Sequence, residues 1–463
     1  MVRQLARYHL ERACITAFYI VLRQTRCFRN LLRQGGKIYG IMKAEPLHVN
    51  TGLPAPHTDH KACPLTLRFR GWRRCARLAG NVRQRGARRD SPCLICNCLR
   101  SSSVMIIDGP NCSTDEMYAW CVRLIQLGLS VRDRLRDVHG GVPGGDSAVA
   151  RTPLGERGGD VIYALDDLVE PVLVRQISTW PTDCFPLVLV AEGINESGQL
   201  PFDAGGQPSQ VQTKPAPFRL LIDPIDGTRS LMYDKRPAWF LAGVAEDRGK
   251  ATGVQDIFAA VMVELPTSNQ ARADHFWATR ASVTRMQTLD CTRTVTREWR
   301  AAPIHVPQPS PAVSLDHGFA HVVNFFPGTK VLAAELMEAI ARGGVDDQDR
   351  WHVFNDQYLA TGGQMAELIR GRDRFCGDFR PLFHRLLGAS GVERNGLECH
   401  PYDVAAALVA QQAGAIITDP FGKPLAAPMT VDHGVSWCGY ANAALQARLE
   451  PVIQRWLAAK GLR

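Results

Sequence analysis

The chain has 463 residues, of which 45% are hydrophobic, and its formal net charge is +9. A chain of this length can bury one large hydrophobic core or two ordinary ones. No segment approaches the roughly 20 consecutive apolar residues that a membrane-spanning helix needs, so the sequence predicts no membrane partner.

The charge is distributed unevenly along the chain. Residues 1–104 contain 20 Lys and Arg against 4 Asp and Glu, whereas the remaining residues contain 34 against 41. The larger part is therefore mildly acidic and lacks the basic footprint expected of a nucleic-acid-binding core. Its cysteines are scattered singly, which is typical of reduced thiols and predicts a cytoplasmic protein.

The first 104 residues are open to four interpretations. Their Arg-rich, acid-poor composition is typical of a transit peptide. Cys93, Cys96 and Cys98 resemble the start of a zinc site, although no second pair follows at the usual spacing. The basic cluster Arg83–Arg89 is typical of a nucleic-acid-binding arm. We prefer the fourth interpretation, a disordered or mistakenly translated extension, because no stretch keeps a helical or strand period.

After this extension the sequence predicts two helices followed by a series of strands. Apolar residues at helical spacing predict a helix over Thr114–Asp137, and a second helix is predicted over Asp166–Ser178. Short apolar runs then predict the strands of an antiparallel sheet. These strands are Leu187–Ala191, Arg219–Ile222, Trp239–Ala245 and Ala259–Glu264.

The proline-rich stretch Pro303–Pro311 is the predicted boundary between two halves, 105–302 and 303–463. Helices and strands alternate in the second half, which indicates an α/β organisation. The predicted helices are Lys330–Arg342 and Leu359–Arg370, and the predicted strands are Ala415–Thr418 and Val435–Gly439.

The most informative segment is Asp223-Pro224-Ile225-Asp226-Gly227-Thr228, which follows the apolar run Leu220–Ile222. Its two carboxylates lie three residues apart across a proline, so both can turn toward one point. Gly227 frees the backbone, and Thr228 suits the first turn of a helix beginning near Arg229. Oxygen ligands beside a helix N-terminus suit Mg²⁺ with a bound phosphate.

This segment resembles the D-P-I-D-G-T signature of the inositol monophosphatase family of lithium-sensitive, metal-dependent phosphatases. Further segments resemble the family's other signatures in the same order along the chain. They are Gly159–Asp166 with Glu170, Val190–Gly193, Pro401–Ala407, Gln412–Asp419 and Gly439–Asn442. The resemblance covers residues 110–460 and implies an α/β fold, a layered α/β/α/β/α sandwich with the site between its two halves.

The resemblance also implies which residues bind metal. Glu192, Asp223 and the Ile225 carbonyl would bind a first Mg²⁺, and Asp223, Asp226 and Asp403 would bind a second. Considered singly, Glu192 is also compatible with a solvated strand end and Asp403 with a helix cap.

Catalytic and phosphate-binding roles follow from the same resemblance. The Thr228 hydroxyl would orient the attacking water and pass its proton toward Asp160, which would also help a third, weaker metal. Asp160 is equally compatible with an ordinary turn. Backbone N–H groups of Gly227 and Thr228 would bind the phosphate. Arg229 would contact a second anionic group or form a surface salt bridge.

The implied function is Mg²⁺-dependent hydrolysis of a phosphate monoester of a small metabolite, such as an inositol or polyol phosphate. Fructose-bisphosphatase-type or 3′-phosphoadenosine-phosphatase-type activity and a non-catalytic phospho-ligand-binding role are the alternatives. A homodimer is common in the family. The chain departs from the family pattern at Tyr163, Arg229, Tyr402 and Ala407, which affects the expected substrate more than the expected metal ligands.

Three further segments are candidates for the substrate mouth. They are Asp373–Phe375, Arg380–Leu382 and His400. Arg374 and Arg380 are equally compatible with structural roles, and His400 with the approach to a helix.

Overall fold

The computed structural model describes residues 113–139, 153–157, 160–211, 215–291, 302–347, 349–350, 352–389 and 397–462. All of them fall in the unit Val104–Arg463. The interpretations of residues 1–104, including the Cys93–Cys98 pattern and the Arg83–Arg89 cluster, lie outside the described residues. None of the described helices combines the length and the apolar character that crossing a bilayer requires.

The first described helix, α1 (Thr114–His139), confirms the predicted one and begins with a reciprocal cap. The Ser113 backbone N–H donates to Glu116 Oε2 at 2.6 Å, and the Glu116 N–H donates to Ser113 Oγ at 3.3 Å. This serine-to-glutamate spacing satisfies two N–H groups that no helical carbonyl can reach. The antiparallel pair β1 (Pro153–Arg157) and β2 (Asp160–Tyr163) follows it.

The helix predicted over Asp166–Ser178 forms as two shorter helices. They are α2 (Ala164–Asp167) and α3 (Glu170–Ile177). Pro171 lies in the first turn of α3, where its missing N–H costs nothing. A continuous helix would place this proline in the interior, so the chain restarts the helix there instead.

A seven-stranded sheet contains the next strands in the order β4-β3-β5-β6-β7-β8-β9. Its strands are β3 (Leu187–Ala191), β4 (Gln199–Phe202), β5 (Phe218–Asp226), β6 (Ala238–Glu246), β7 (Ala259–Leu265), β8 (Arg272–Thr279) and β9 (Arg285–Asp290). The predicted antiparallel pairing is wrong for β3 and β5, which are parallel. The hairpin strand β4 reverses the chain after β3, so β5 enters in the same direction as β3.

Both faces of this sheet are buried, and alternate residues of a strand belong to different cores. In β5, Leu221 packs in one hydrophobic cluster, whereas Leu220 and Ile222 pack in the other. The strand therefore reads as a continuous apolar run rather than an alternating one. Helix α1 covers one face of the sheet. It packs so closely there that a Cβ at Gly128 would lie 2.6 Å from Phe240 Cδ1.

A five-stranded sheet follows in the order β11-β10-β12-β14-β13. Its strands are β10 (Gly318–Val322), β11 (Val353–Phe354), β12 (Asp373–Asp378), β13 (Ile416–Thr418) and β14 (Trp437–Tyr440). Strands β10, β11 and β12 are parallel, so the chain leaves β10 and β12 at the same edge.

The remaining helices complete five layers. They are α4 (Thr228–Met232), α5 (Lys330–Gly344), α6 (Thr361–Ile369), α7 (Arg380–Ala389), α8 (Ala407–Ala413) and α9 (Ala443–Ala459). Helices α6 and α8 contact both sheets, α1 covers the outer face of the first, and α5 and α9 cover the second. The predicted α/β/α/β/α sandwich is confirmed, with α6 and α8 between the sheets.

Candidate metal centre

The parallel pairing of β3 and β5 places acidic residues at one edge of the first sheet. Ala191 pairs with Ile222, so Glu192 and Asp223 follow at the carboxyl ends of neighbouring strands. Carboxyl ends of parallel strands are where open α/β sheets commonly bind ligands. The strand direction that sequence analysis missed is therefore the one that brings Glu192 toward Asp223.

A bulge at Pro224 turns Asp223 and Asp226 to the same side. Asp223 pairs with Leu241 and Asp226 with Trp239, so three steps along β5 match two along β6. In a regular strand, residues three apart point to opposite faces. The extra residue of the β-bulge places the side chains of Asp223 and Asp226 on the same face.

Asp403 completes the cluster from the second half of the chain. It lies in a short 3₁₀ turn over Tyr402–Val404, and its Oδ2 accepts the His400 backbone N–H at 2.5 Å. One oxygen each from Asp223, Asp226 and Asp403 lies within 4.8 Å of the others. Glu192 lines the same cleft.

The cluster is electrostatically costly without a cation. Burial, together with the charges of Glu192, Asp226 and Asp403, raises the pKa of Asp223 well above its usual value. Burial raises the pKa of Asp226 to about 7, although two backbone N–H groups and the Arg380 charge lower it. Carboxylate oxygens gathered at one point fit a hard divalent cation such as Mg²⁺.

Asp226 also accepts hydrogen bonds from the start of α6. The backbone N–H of Thr361 donates to its Oδ1 at 3.1 Å, and that of Gly362 donates to its Oδ2 at 2.5 Å. A Cβ on Gly362 would lie 2.6 Å from Leu241 Cδ2 and 3.0 Å from Asp226 Oδ2. This helix was predicted from the sequence, but the hydrogen bonds from its first turn to Asp226 were not. The Gly362-Gly363 pair is the feature of the sequence that could have indicated such a close approach.

The turn after Asp226 brings the Thr228 hydroxyl to Asp166. Gly227 has a φ of 98°, a left-handed conformation that glycine adopts without strain. The Thr228 hydroxyl lies 2.8 Å from the Ile225 carbonyl and 3.2 Å from Asp166 Oδ1. The backbone of Asp160 lies in β2, where it pairs with Arg157, and the expected proton path from Thr228 to Asp160 stays a prediction.

Aromatic and arginine side chains form another wall of the cleft. The Arg229 guanidinium lies 5.6 Å from the ring centroids of Tyr163 and Phe326. The Arg380 guanidinium lies 5.2 Å from Phe325 and 5.4 Å from Phe326. The two phenylalanines follow β10 and Arg380 follows β12. Because these strands are parallel, all three side chains lie at the same edge of the second sheet.

Of the other mouth candidates, Arg380 lines this cleft and the Asp373–Phe375 segment does not. Arg374 donates to the backbone carbonyls of Ser314 and Asp316, and Asp373 lines a separate cleft. His400 is buried, with its ring stacked 5.3 Å from that of Tyr402. Its backbone N–H contacts the acidic cluster through Asp403.

No family model and no curated protein matches the sequence. Among solved structures, 190 chains match. The extragenic suppressor protein SuhB from Bartonella henselae is 15% identical over 73% of this chain and 99% of its own, with a TM-score of 0.44. Fructose-1,6-bisphosphatase from Leishmania major is 13% identical over 77% and 97%, with a TM-score of 0.47.

A third match is CysQ from Bacteroides thetaiotaomicron, described as a bacterial member of the inositol monophosphatase family. It is 11% identical over 70% of this chain and 97% of its own, with a TM-score of 0.43. Several matching structures are thus described as inositol monophosphatases or as members of the family named from the sequence motifs. At these identities the matches do not determine what this chain acts on.

Proposed function

We propose that this chain is a Mg²⁺-dependent phosphatase that hydrolyses a phosphate monoester of a small metabolite. The observation that supports it most is the convergence of Asp223, Asp226 and Asp403 from distant segments to within 4.8 Å. Such a cluster is unfavourable in a buried site unless a cation neutralises it. The motif that supplies two of the three is the one that resembles the phosphatase signature.

We propose that the cluster and its neighbours bind two metal ions. In this proposal Glu192, Asp223 and the Ile225 carbonyl bind one Mg²⁺, and Asp223, Asp226 and Asp403 bind the other. Bound Mg²⁺ would neutralise charge on phosphoryl oxygens. It would also lower the pKa of a water molecule, so that hydroxide is available to attack phosphorus at neutral pH. The first turn of α6 holds Asp226 in place through its two N–H groups.

The chain's own groups position the water and the phosphate. The Thr228 hydroxyl donates one proton, yet it lies within hydrogen-bonding distance of both the Ile225 carbonyl and the Asp166 carboxylate. In this proposal the Thr228 hydroxyl orients the attacking water and accepts a hydrogen bond from it. Asp166 receives the proton that the Thr228 hydroxyl passes on. The backbone N–H groups of Gly227 and Thr228 bind the phosphate, and Arg229 borders it.

A hydrolysis assay over a panel of phosphate monoesters tests the proposal. The panel contains an inositol monophosphate, a polyol phosphate, fructose 1,6-bisphosphate and 3′-phosphoadenosine 5′-phosphate, each with Mg²⁺ and with excess EDTA. Phosphate release that needs Mg²⁺, and that Asp223→Asn abolishes, is the expected result. Inhibition by Li⁺ would extend the proposal to the family's lithium sensitivity.

The same assay separates the alternatives. Turnover of only fructose 1,6-bisphosphate or only the adenosine bisphosphate would assign the narrower activity. Absence of Mg²⁺-dependent phosphate release from every ester, with Mg²⁺ binding intact, would contradict the phosphatase and favour a non-catalytic phospho-ligand-binding role.

A further inference from the structure

Arg380 is a buried cation at the acidic cluster to which the proposed mechanism gives no role. The residue is 5% exposed and lines the same cleft as Asp226 and Asp403. Its positive charge lowers the pKa of Asp226, and the charge of Asp403 in turn raises the pKa of Arg380. The guanidinium is therefore close enough to both carboxylates to act on them electrostatically.

The orientation of this guanidinium is fixed on its far side. Arg380 Nε lies 3.0 Å and 2.9 Å from the two oxygens of Asp378, and its Nη2 lies 2.6 Å from Asp378 Oδ2. Its Nη1 donates to the Leu397 carbonyl at 3.1 Å. Asp378 is fully buried, so the pair is held rigidly between β12 and the loop that leads to Asp403.

Donor capacity remains on the guanidinium after these contacts. Arginine has five N–H groups. The hydrogen bonds to described residues use Nε–H and one hydrogen on each terminal nitrogen, which leaves one hydrogen on Nη1 and one on Nη2. The faces of Phe325 and Phe326 pack 5.2 and 5.4 Å away and offer no hydrogen-bond acceptor atom. Two donors on a fixed, desolvated cation beside a metal cluster match the needs of a phosphoryl group.

We propose that Arg380 binds a phosphoryl oxygen of the substrate and is a catalytic residue, positioned by Asp378. The inference rests on the proposed function, because the phosphoryl group must lie at the acidic cluster for Arg380 to reach it. An arginine held in place before substrate arrives stabilises phosphoryl charge without reorganising during the reaction.

The role has a signature with opposite signs for two ligands. Removing the guanidinium removes a donor from phosphate and should weaken phosphate binding. It also removes a positive charge beside Asp226 and Asp403, so Mg²⁺ should bind at least as tightly as before. A purely structural role predicts that both affinities fall together or that neither changes.

Isothermal titration calorimetry with inorganic phosphate, the product of the proposed reaction, and separately with Mg²⁺ tests this signature. Because Arg380→Gln alone would leave Asp378 buried and unpaired, the comparison uses Asp378→Asn and the double variant Asp378→Asn/Arg380→Gln. The Arg380 backbone N–H donates to Asp378 Oδ1 at 3.0 Å, and the amide oxygen introduced by Asp378→Asn can still accept that bond. Arg374→Gln is the control, because Arg374 lies on β12 like Asp378 but does not line the cleft.

The double variant is expected to bind phosphate in the presence of Mg²⁺ about 10- to 100-fold more weakly than Asp378→Asn, the range of a charge-assisted hydrogen bond. Its affinity for Mg²⁺ should be equal or higher, and Arg374→Gln should match the wild type in both. A phosphate affinity within twofold of Asp378→Asn, or a parallel loss of Mg²⁺ affinity, would overturn the role of Arg380. If wild-type protein binds phosphate no better with Mg²⁺ than with EDTA, the proposed function fails, and this inference fails with it.

Discussion

Two buried acidic clusters in this protein are built in opposite ways. At the carboxyl end of α6, the carboxylates of Glu264, Asp274 and Glu367 converge on Arg370, whose Nη2 and Nη1 lie 3.1 and 3.0 Å from Glu264 and Glu367. At the amino end of the same helix, Asp223, Asp226 and Asp403 converge on a point within 4.8 Å of one another. The first cluster encloses its own cation.

The electrostatics of the two clusters differ accordingly. The carboxylates around Arg370 raise its pKa above the usual arginine value, so it stays charged. Burial raises the pKa of Glu264 as well, and the charge of Arg370 opposes that rise. Burial and neighbouring carboxylates instead raise the pKa of Asp223. Arg370 is paired directly with the carboxylates of its cluster, whereas Arg380 is paired with Asp378 and leaves the cluster of Asp223, Asp226 and Asp403 suited to a further cation from solution.

The largest expected effect comes from Asp223→Asn, which removes the carboxylate shared by both proposed metal sites. We expect Mg²⁺-dependent activity to fall by at least about 1,000-fold, in line with the several kcal/mol that a catalytic metal supplies. Melting temperature measured with EDTA should not fall, because the variant relieves repulsion in the cluster. Asp226→Asn is a less clean test, since Asp226 accepts two N–H groups and an amide offers one acceptor.

Arg370→Met is the reciprocal variant at the other cluster. It leaves three carboxylates packed without their cation, and we expect a loss of about 3–5 kcal/mol in the free energy of unfolding. Urea denaturation measures that loss. Mg²⁺ affinity should stay within about twofold of wild type. A variant that loses Mg²⁺ affinity as strongly as Asp223→Asn would show that the two clusters are not independent.

Thr228→Ala tests whether the hydroxyl near Asp166 acts in catalysis. We expect kcat to fall by about 100-fold or more, the lower end for a lost proton-transfer group, with Mg²⁺ affinity unchanged. Thr228→Ser keeps the hydroxyl and is the matched control, for which activity within about tenfold of wild type is expected. Equal activities of the alanine and serine variants would remove Thr228 from the mechanism.

The smallest expected effect tests a raised carboxyl pKa outside the metal centre. Asp373, outside the metal centre, has its pKa raised to about 7 by burial first and then by Glu367 and Asp356, against Arg372 and Arg236. The folded protein holds this proton more tightly than the unfolded chain, so the contribution of Asp373 to stability is complete near pH 4 and is lost as the pH rises through 7.

Asp373→Asn should therefore be more stable than wild type at pH 8, by on the order of 2 kcal/mol, and about equal at pH 4. Urea denaturation at the two pH values measures the difference. Equal stability of the two proteins at both pH values would show that the pKa of Asp373 is not raised in the folded protein.

The layered fold was implied by the family resemblance, and the buried strands and acidic segments were recognisable because they depend on local pattern. Apolar runs such as Leu187–Ala191 are long enough to identify buried strands, and the Asp223–Thr228 segment contains its turn chemistry within six residues. The parallel direction of β5 was missed because it depends on where the hairpin strand β4 lies. Strand β12 escaped prediction because its Asp373-Arg374 start and Cys376-Gly377 interior lack the pattern of a buried strand.

The site residues that sequence analysis missed depend on contacts between distant segments. Asp166 and Thr228 are 62 residues apart, and Thr361 lies 135 residues from Asp226. Nothing in the sequence around Asp166 marks it as a hydrogen-bond partner of Thr228. Arg380 was recognised only as one of two arginines near the mouth, and the contacts of Arg374 with backbone carbonyls separate the two.

The most direct test of the central claim is a Mg²⁺ titration followed by thermal denaturation of wild type, Asp223→Asn and Arg370→Met. Binding to the folded state alone stabilises it by about 2.7 kcal/mol at 100 times the dissociation constant. We expect Mg²⁺ to raise the melting temperature of wild type and of Arg370→Met by similar amounts, and to leave Asp223→Asn unchanged. A wild-type melting temperature that does not respond to millimolar Mg²⁺, or an equal response of Asp223→Asn, would contradict a metal centre at this cluster.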